Sequence, residues 1–333
     1  MQLNRSSLVV VLAILLPGLA LTQNAVTPVN SGPNPYQMVE NWAKLPDGRT
    51  WGSTSAVDPD LDGKSIWVAE RCGANTCVNS PNVDVVLKFD ESGKLVKSFG
   101  AGLMVFPHGI HVDKDGNIWA TDVGAHTVMK LNHDGQVLLT LGEKGQAGAW
   151  EDSTHRFNEP NDIVIASNGD LFITQGHTPG AGRGGVQQNP GVLKFDKNGK
   201  FIKFWGGKGT EPGKFEVAHG IAIDAKGLLW VTDRENQRIQ IFDQDGKYMR
   251  EVKYAGLPCS LDIGSQYIYM VNGFAGQLLR MDLDGKVLAA VGKPGPAGSW
   301  GEFGEAHFIA VSPKGEIYVA DSVNRAVQKF VKK

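Results

Sequence analysis

Residues 106–122, FPHGIHVDKDGNIWATD, carry two short runs of alternating apolar residues joined by an Asp-Gly turn, and nearly the same phrase returns at residues 217–233 (VAHGIAIDAKGLLWVTD) and 305–321 (EAHFIAVSPKGEIYVAD). Period-two alternation cut by Gly-containing turns is the pattern of paired antiparallel strands. Extended along the chain, the phrase becomes a unit: an alternating run up to an Asp, a turn with Gly, a run of the form (I/L)(W/F/Y)(V/I/A)(T/A)(D/Q), a loop, a run (V/I)xK(F/L)D, a second Gly turn and a closing run. Four runs per unit make one four-stranded antiparallel sheet.

Six units begin near Trp51, Phe106, Phe157, Phe215, Pro258 and Phe303, the fifth of them degenerate. The last stops at AVQKFVKK without a fourth run. YQMVENWAKL, at residues 36–45, resembles the closing run GKFIKFWGG and can supply it. Ends that complete one another close a ring and remove exposed sheet edges. The expected fold is all-β: a six-bladed β-propeller over residues 37–333, its ring closed by an N-terminal strand that completes the last blade. Five blades with an irregular insert is the alternative that the fifth unit leaves open.

The composition agrees with this. The chain has 333 residues, 41% of them hydrophobic, and its 42 glycines and 16 prolines are spaced as many turns between short strands require. A net charge of −2 gives no bias toward polyanions, which argues against nucleic acid as a partner. Residues 1–25 read as a secretory signal peptide: Arg5, an apolar run interrupted by Pro17, then small residues. The run from Leu8 to Leu21 is short for a membrane span of about 20 residues, although an uncleaved anchor is the other reading. Residues 26–36 read as a disordered leader. Export makes Cys72 and Cys77, in ERCGANTC, candidates for a small disulfide loop and leaves Cys259 unpaired. A two-cysteine metal site is the alternative there.

In a propeller the innermost strands line a central channel, and equivalent residues of different blades meet as a ring. The position five residues before the end of each first run is Ser53, His108, Asn161, His219, Cys259 and His307. Histidine thus occupies every second blade, so three imidazoles converge on one point of the axis with an open side above them, the arrangement of a catalytic zinc. Ser53 and Asn161 read as channel filling. Cys259 is either a fourth ligand or a buried inert thiol. A second ring, after the next strand, holds Arg71, Val123, Gly176, Arg234, Gly273 and Ser322. Arg71 and Arg234 could grip a carboxylate, or Arg234 could instead be tied to Glu235. The Gly-rich stretch QGHTPGAGRGG, with His177 and Arg183, reads as a rim loop, since it has neither the following helix nor the Lys-Ser/Thr pair of a phosphate cradle. His111 alternates away from His108, and His126, His133 and His155 fall in turns or loops; none is given a role.

The units HGIHVDKDGNIWATDVGAHTVMKL, HGIAIDAKGLLWVTDRENQRIQIFD and AVSPKGEIYVADSVNRAVQKF resemble NHL repeats, and the three-histidine register resembles the peptidyl-α-hydroxyglycine α-amidating lyase family, over essentially the whole chain after residue 40. The resemblance implies zinc (Zn2+) held by His108, His219 and His307, with Arg71 in VAERCG positioning substrate. It also implies cleavage of a C-terminal α-hydroxyglycine to an amidated peptide and glyoxylate. Two positions depart from the family. His177 stands where the family has its catalytic tyrosine, and Phe308 stands where the family has an aspartate that helps bind calcium, which argues against calcium here. The expected protein is a secreted or periplasmic monomer acting on a small molecule or a peptide C-terminus, with no stable membrane association after signal cleavage. A ligand- or protein-binding module with a structural metal and a metal-assisted esterase or lactonase are the rival readings.

Overall fold

The structure is a computed structural model that describes residues 34–149, 155–177, 189–296 and 301–333. The expected signal peptide, most of the expected leader and Arg183 lie outside the described residues. Strand β1 (Tyr36–Val39) comes first. Blade 1 is β2 (Thr54–Pro59), β3 (Ile66–Glu70), β4 (Val86–Phe89) and β5 (Leu95–Phe99), and blade 2 is β6 (Pro107–Val112), β7 (Ile118–Asp122), β8 (Thr127–Leu131) and β9 (Val137–Leu141). Blade 3 is β10 (Pro160–Ile165), β11 (Leu171–Gln175), β12 (Gly191–Phe195) and β13 (Phe201–Gly206), and blade 4 is β14 (Ala218–Ile223), β15 (Leu229–Asp233), β16 (Arg238–Phe242) and β17 (Tyr248–Lys253). Blade 5 is β18 (Pro258–Ile263), β19 (Ile268–Asn272), β20 (Gln277–Met281) and β21 (Val287–Val291). A small parallel pair, β22 (Lys293–Pro294) with β23 (Glu302–Phe303), leads to blade 6, formed by β24 (Ala306–Val311), β25 (Ile317–Asp321), β26 (Ala326–Lys332) and the returning β1.

Among the described residues there are six four-stranded antiparallel sheets, the degenerate fifth unit included, and the ring closes as the sequence predicts. Tyr36 pairs with Lys332 and Val39 with Lys329. Tyr36, expected at the end of the leader, is instead buried at the start of β1, where its hydroxyl meets that of Tyr269 at 2.7 Å. Among the described residues no helix is long and apolar enough to cross a membrane. Cys72 and Cys77 form a disulfide, which fits an extracellular protein.

Local chemistry explains the repetition. In DKDGN, Asp113 Oδ1 accepts the backbone N–H groups of Asp115 and Asn117, and Gly116 takes the left-handed conformation (φ 78°) that closes a hairpin. The same aspartate accepts the indole N–H of Trp119, as Asp60 does for Trp67 and Asp224 for Trp230. These three tryptophans are almost wholly buried, and truncating any of them to Ala costs about 3–5 kcal/mol. The residue ending each second strand has another task. Asp122 accepts from the N–H groups of Val105 and Phe106, Asp321 from Gly304 and Glu305, and Gln175 from Asn158. Each of these bonds clamps the segment that leads into an innermost strand, and so fixes where the channel residues begin.

Candidate metal centre

His108, His219 and His307 are each the second residue of an innermost strand, in blades 2, 4 and 6. Their rings form a near-equilateral triangle, with centroids 4.8 Å apart for His108–His219, 4.7 Å for His108–His307 and 4.9 Å for His219–His307. Each Nδ1 donates across to a carbonyl of the following blade: His108 to Asn161 at 2.8 Å, His219 to Cys259 at 2.8 Å and His307 to Ser55 at 2.6 Å. A carbonyl can only accept, so Nδ1 carries the hydrogen and Nε2 is left with its lone pair. Nε2 of His108 and of His219 is buried without a hydrogen-bond partner. Burial holds all three imidazoles neutral, His307 down to about 4 and the other two well below the usual histidine range.

One ligand atom from each histidine lies within 4.8 Å of the other two. An unpartnered buried acceptor costs about 1–3 kcal/mol, and a cation on the axis removes that cost. Three neutral imidazoles oriented by backbone acceptors are the donor set that fits zinc.

The carbonyl contacts correct the register of blade 1. The turn aspartate there is Asp60, equivalent to Asp113 and Asp224 by its tryptophan bond. The ring residue of blade 1 is therefore Ser55, and Ser53 lies before the strand, where its hydroxyl donates to Asn75 at 2.8 Å. Asn161 and Cys259 serve the triad through their backbone carbonyls. The amide of Asn161 donates to Ala218 O at 2.7 Å. Cys259 is not among the clustered ligand atoms; its thiol is wholly buried and pushed up to about 12 by burial. It is the inert thiol of the two readings.

Below the triad, Phe308 closes the channel. Its ring lies 5.6, 5.8 and 5.1 Å from those of His108, His219 and His307. The corresponding residues of blades 2 and 4 are Gly109 and Gly220, where an added Cβ would meet the Asn161 carbonyl at 2.7 Å and the Cys259 carbonyl at 2.6 Å. Glycine there lets each histidine's blade approach the carbonyl that orients it. On the far side of Phe308 lies a cavity of about 190 Å³ lined by Asp58, Asp162, Asp262 and His111. His111 thus faces the axis at the other end of the channel rather than turning away from it, because the register of β6 on β7 shifts between Pro107 and Ile110 and resets the alternation.

Above the triad is the mouth. Arg71 is 5% exposed, stacks 3.6 Å over the Phe106 ring, and donates from Nε to Pro107 O and from Nη1 to Asn75 Oδ1, each at 3.2 Å. Arg234 does not join it in a two-arginine clamp: it is tied to Glu235 through Nε at 3.1 Å and Nη2 at 2.7 Å, with Glu305 at 3.8 Å. His177 directly follows β11 in the chain by way of Gly176, and its ring lies 4.8 Å from that of His108 and 5.8 Å from that of His219. It flanks the cluster without belonging to it. Glu305, two residues before His307, was missed by the sequence reading; it accepts from Ser322 Oγ and its side chain is 12% exposed. The signal was available, since the matching positions before His108 and His219 are Phe106 and Val217. His126 accepts from the N–H of Glu159 at 3.1 Å and His133 meets Asp60 at 3.1 Å, while His155 is exposed.

Comparison with known proteins agrees with the propeller fold. Residues 215–242 and 303–330 match the NHL repeat family. The chain is 33% identical over 267 residues to the peptidyl-glycine alpha-amidating monooxygenase of Mus musculus, covering 74% of this chain and 26% of that protein. It is also 33% identical over 199 residues to a probable peptidyl-alpha-hydroxyglycine alpha-amidating lyase of Caenorhabditis elegans, covering 59% of this chain and 50% of that one. The chain thus spans about a quarter of the mouse protein and half of the nematode one. A gluconolactonase of Xanthomonas campestris shares the fold, with a TM-score of 0.63 at 16% identity over 92% of this chain and 97% of that chain. The chain is an NHL-repeat propeller that resembles the amidating-lyase family.

Proposed function

We propose that this chain is an exported zinc-dependent lyase of the amidating type, cleaving the C–N bond of a C-terminal α-hydroxyglycine or a related carbinolamide and releasing glyoxylate. One observation carries this reading: three neutral imidazoles bring one ligand atom each to within 4.8 Å of the others, with Nε2 of His108 and of His219 buried and unpartnered, beside Arg71 and His177. His108, His219 and His307 would hold the zinc ion, which would supply Lewis-acid stabilisation of negative charge developing beside it. Arg71 holds the substrate carboxylate, its guanidinium already fixed against Phe106 and Asn75.

In the reaction the hydroxyl proton leaves, its oxygen electrons form the aldehyde C=O, the C–N bond breaks, and the nitrogen takes up a proton. His177 stands beside the triad where one imidazole can accept the first proton and return it to the nitrogen. Phe308 packs behind the triad, its ring 5.6, 5.8 and 5.1 Å from those of His108, His219 and His307, on the side away from Arg71 and His177. The substrate class is a small carbinolamide or a peptide C-terminus. The protein works as a secreted or periplasmic monomer once residues 1–25 are removed, and nucleic acid is not a partner.

The test is glyoxylate release from α-hydroxyhippurate by the metal-loaded protein. His108→Ala should abolish both activity and metal binding. A loaded, folded protein that releases no glyoxylate from any α-hydroxyglycine substrate overturns the reading. A second reading, metal-assisted hydrolysis of esters or lactones, draws on Glu305, a carboxylate at the mouth able to orient a water. It predicts lactone turnover without glyoxylate. A binding module with a structural metal predicts partner affinity that survives metal removal.

A further inference from the structure

Arg71 is held by more than its own blade. Its Nη1 donates to Asn75 Oδ1 at 3.2 Å, and the same oxygen accepts from Ser53 Oγ at 2.8 Å. Asn75 lies inside the loop that the Cys72–Cys77 disulfide closes, so the acceptor that aims the guanidinium sits on a covalently closed ring. That ring is stitched to both walls of the mouth. Ala74 N donates to Arg71 O at 2.9 Å and Ser53 N to Ala74 O at 2.7 Å on the blade 1 side. Cys77 N and Thr76 Oγ1 both donate to Val105 O, each at 2.9 Å, on the segment that continues into Phe106 and Pro107. Those two residues form the other half of the guanidinium's seat.

Cys72 itself has φ 54°, in the left-handed region that a non-glycine side chain adopts only when its surroundings enforce it. Both cysteines are buried, at 4% and 2% exposure, so the bridge is protected from reductants at the surface. An arginine whose rotamer is fixed in advance loses little freedom when a carboxylate arrives, and its grip is correspondingly tight.

We propose that Asn75, held in place by the Cys72–Cys77 bridge, is the positioning residue for Arg71, so that opening the bridge or removing the Asn75 amide weakens carboxylate recognition at the mouth while metal loading and the fold persist. The proposal rests on Arg71 being the carboxylate-binding group of the reading above.

The experiment is calorimetric titration of the zinc-loaded full-length protein with hippurate and with hippuramide, which has nearly the same shape and lacks the charge. Wild type should prefer hippurate. Asn75→Ala and the double variant Cys72→Ala/Cys77→Ala should each cut that preference by about tenfold, with bound zinc per chain and Tm close to wild type. A merely structural loop would weaken both ligands alike or release metal, and either result overturns the positioning role. So does an undiminished preference in Asn75→Ala, which decides the matter alone should the double variant fail to fold. A wild type that binds the two ligands equally overturns the Arg71 reading itself, and is distinguishable because no variant is needed to see it.

Discussion

The channel has two ends built by one device with opposite polarity. At the mouth end, histidines from blades 2, 4 and 6 reach across and donate Nδ1–H to a carbonyl of the next blade. At the far end, aspartates from blades 1, 3 and 5 reach across and accept a backbone N–H of the next blade: Asp58 from Val112 at 2.6 Å, Asp162 from Ile221 at 3.0 Å and Asp262 from Val311 at 2.7 Å. Burial pushes both sets toward neutrality, the imidazoles downward and the carboxyls upward, with Asp162 raised to about 8 and Asp262 to about 6. The difference lies in what neutrality leaves behind. A neutral imidazole still presents a strong lone pair to a cation, whereas a protonated carboxyl has lost its charge and with it most of its attraction. Low polarity therefore leaves one end fit for a metal and lowers the charge carried by the other, with Phe308 between them.

Breaking the mouth end should have the largest effect. His219→Ala should lower zinc affinity by more than about 100-fold, measured by competition with a chelating dye; a variant that keeps one zinc per chain would dissolve the contrast. Next, Arg71→Ala should reduce kcat/KM for α-hydroxyhippurate by about 100-fold or more, with zinc content unchanged. Phe308→Ala, which joins the two ends, should cost about 3–5 kcal/mol of stability, read from denaturant midpoints, and should loosen zinc less than loss of a ligand does.

The smallest effect belongs to the far end. Asp162 keeps its proton in the folded protein over a range where the unfolded chain has released it, so its contribution is fully present below about pH 4 and is lost as pH rises toward about 8. Asp162→Asn should therefore raise Tm by a few degrees near pH 8, and the gain should fade toward pH 4. A Tm difference that grows on acidification would reverse this assignment.

Much of this was legible in the chain because the repeat carries its own ruler. The Gly turns and the alternation point to six units, with five blades left open by the degenerate fifth, and counting back from Asp113, Asp224 and Ser312 finds His108, His219 and His307 without coordinates. The ruler slips where a repeat offers two aspartates: counting back five from Asp58 gives Ser53, whereas Asp60, which holds the blade 1 tryptophan, gives Ser55. Alternation also failed for His111, because a register shift changes which residues share a face. The aspartate trio escaped notice for a related reason, as Asp58 and Asp262 are fifth in their strands while Asp162 is third, so no single register joins them. The choice between the two roles of Arg234 needed distances, since only these reveal Glu305, remote in sequence, beside it.

Blade 6 alone is assembled from strands at opposite extremes of the described chain, with β1 laid along β26. His307 belongs to that blade and takes its orienting carbonyl from blade 1 across the seam. The third ligand therefore cannot be aimed until the circle is shut, and a nascent or partly folded chain offers a cation only two prepared donors. A metal held by all three histidines would thereby report that assembly is finished.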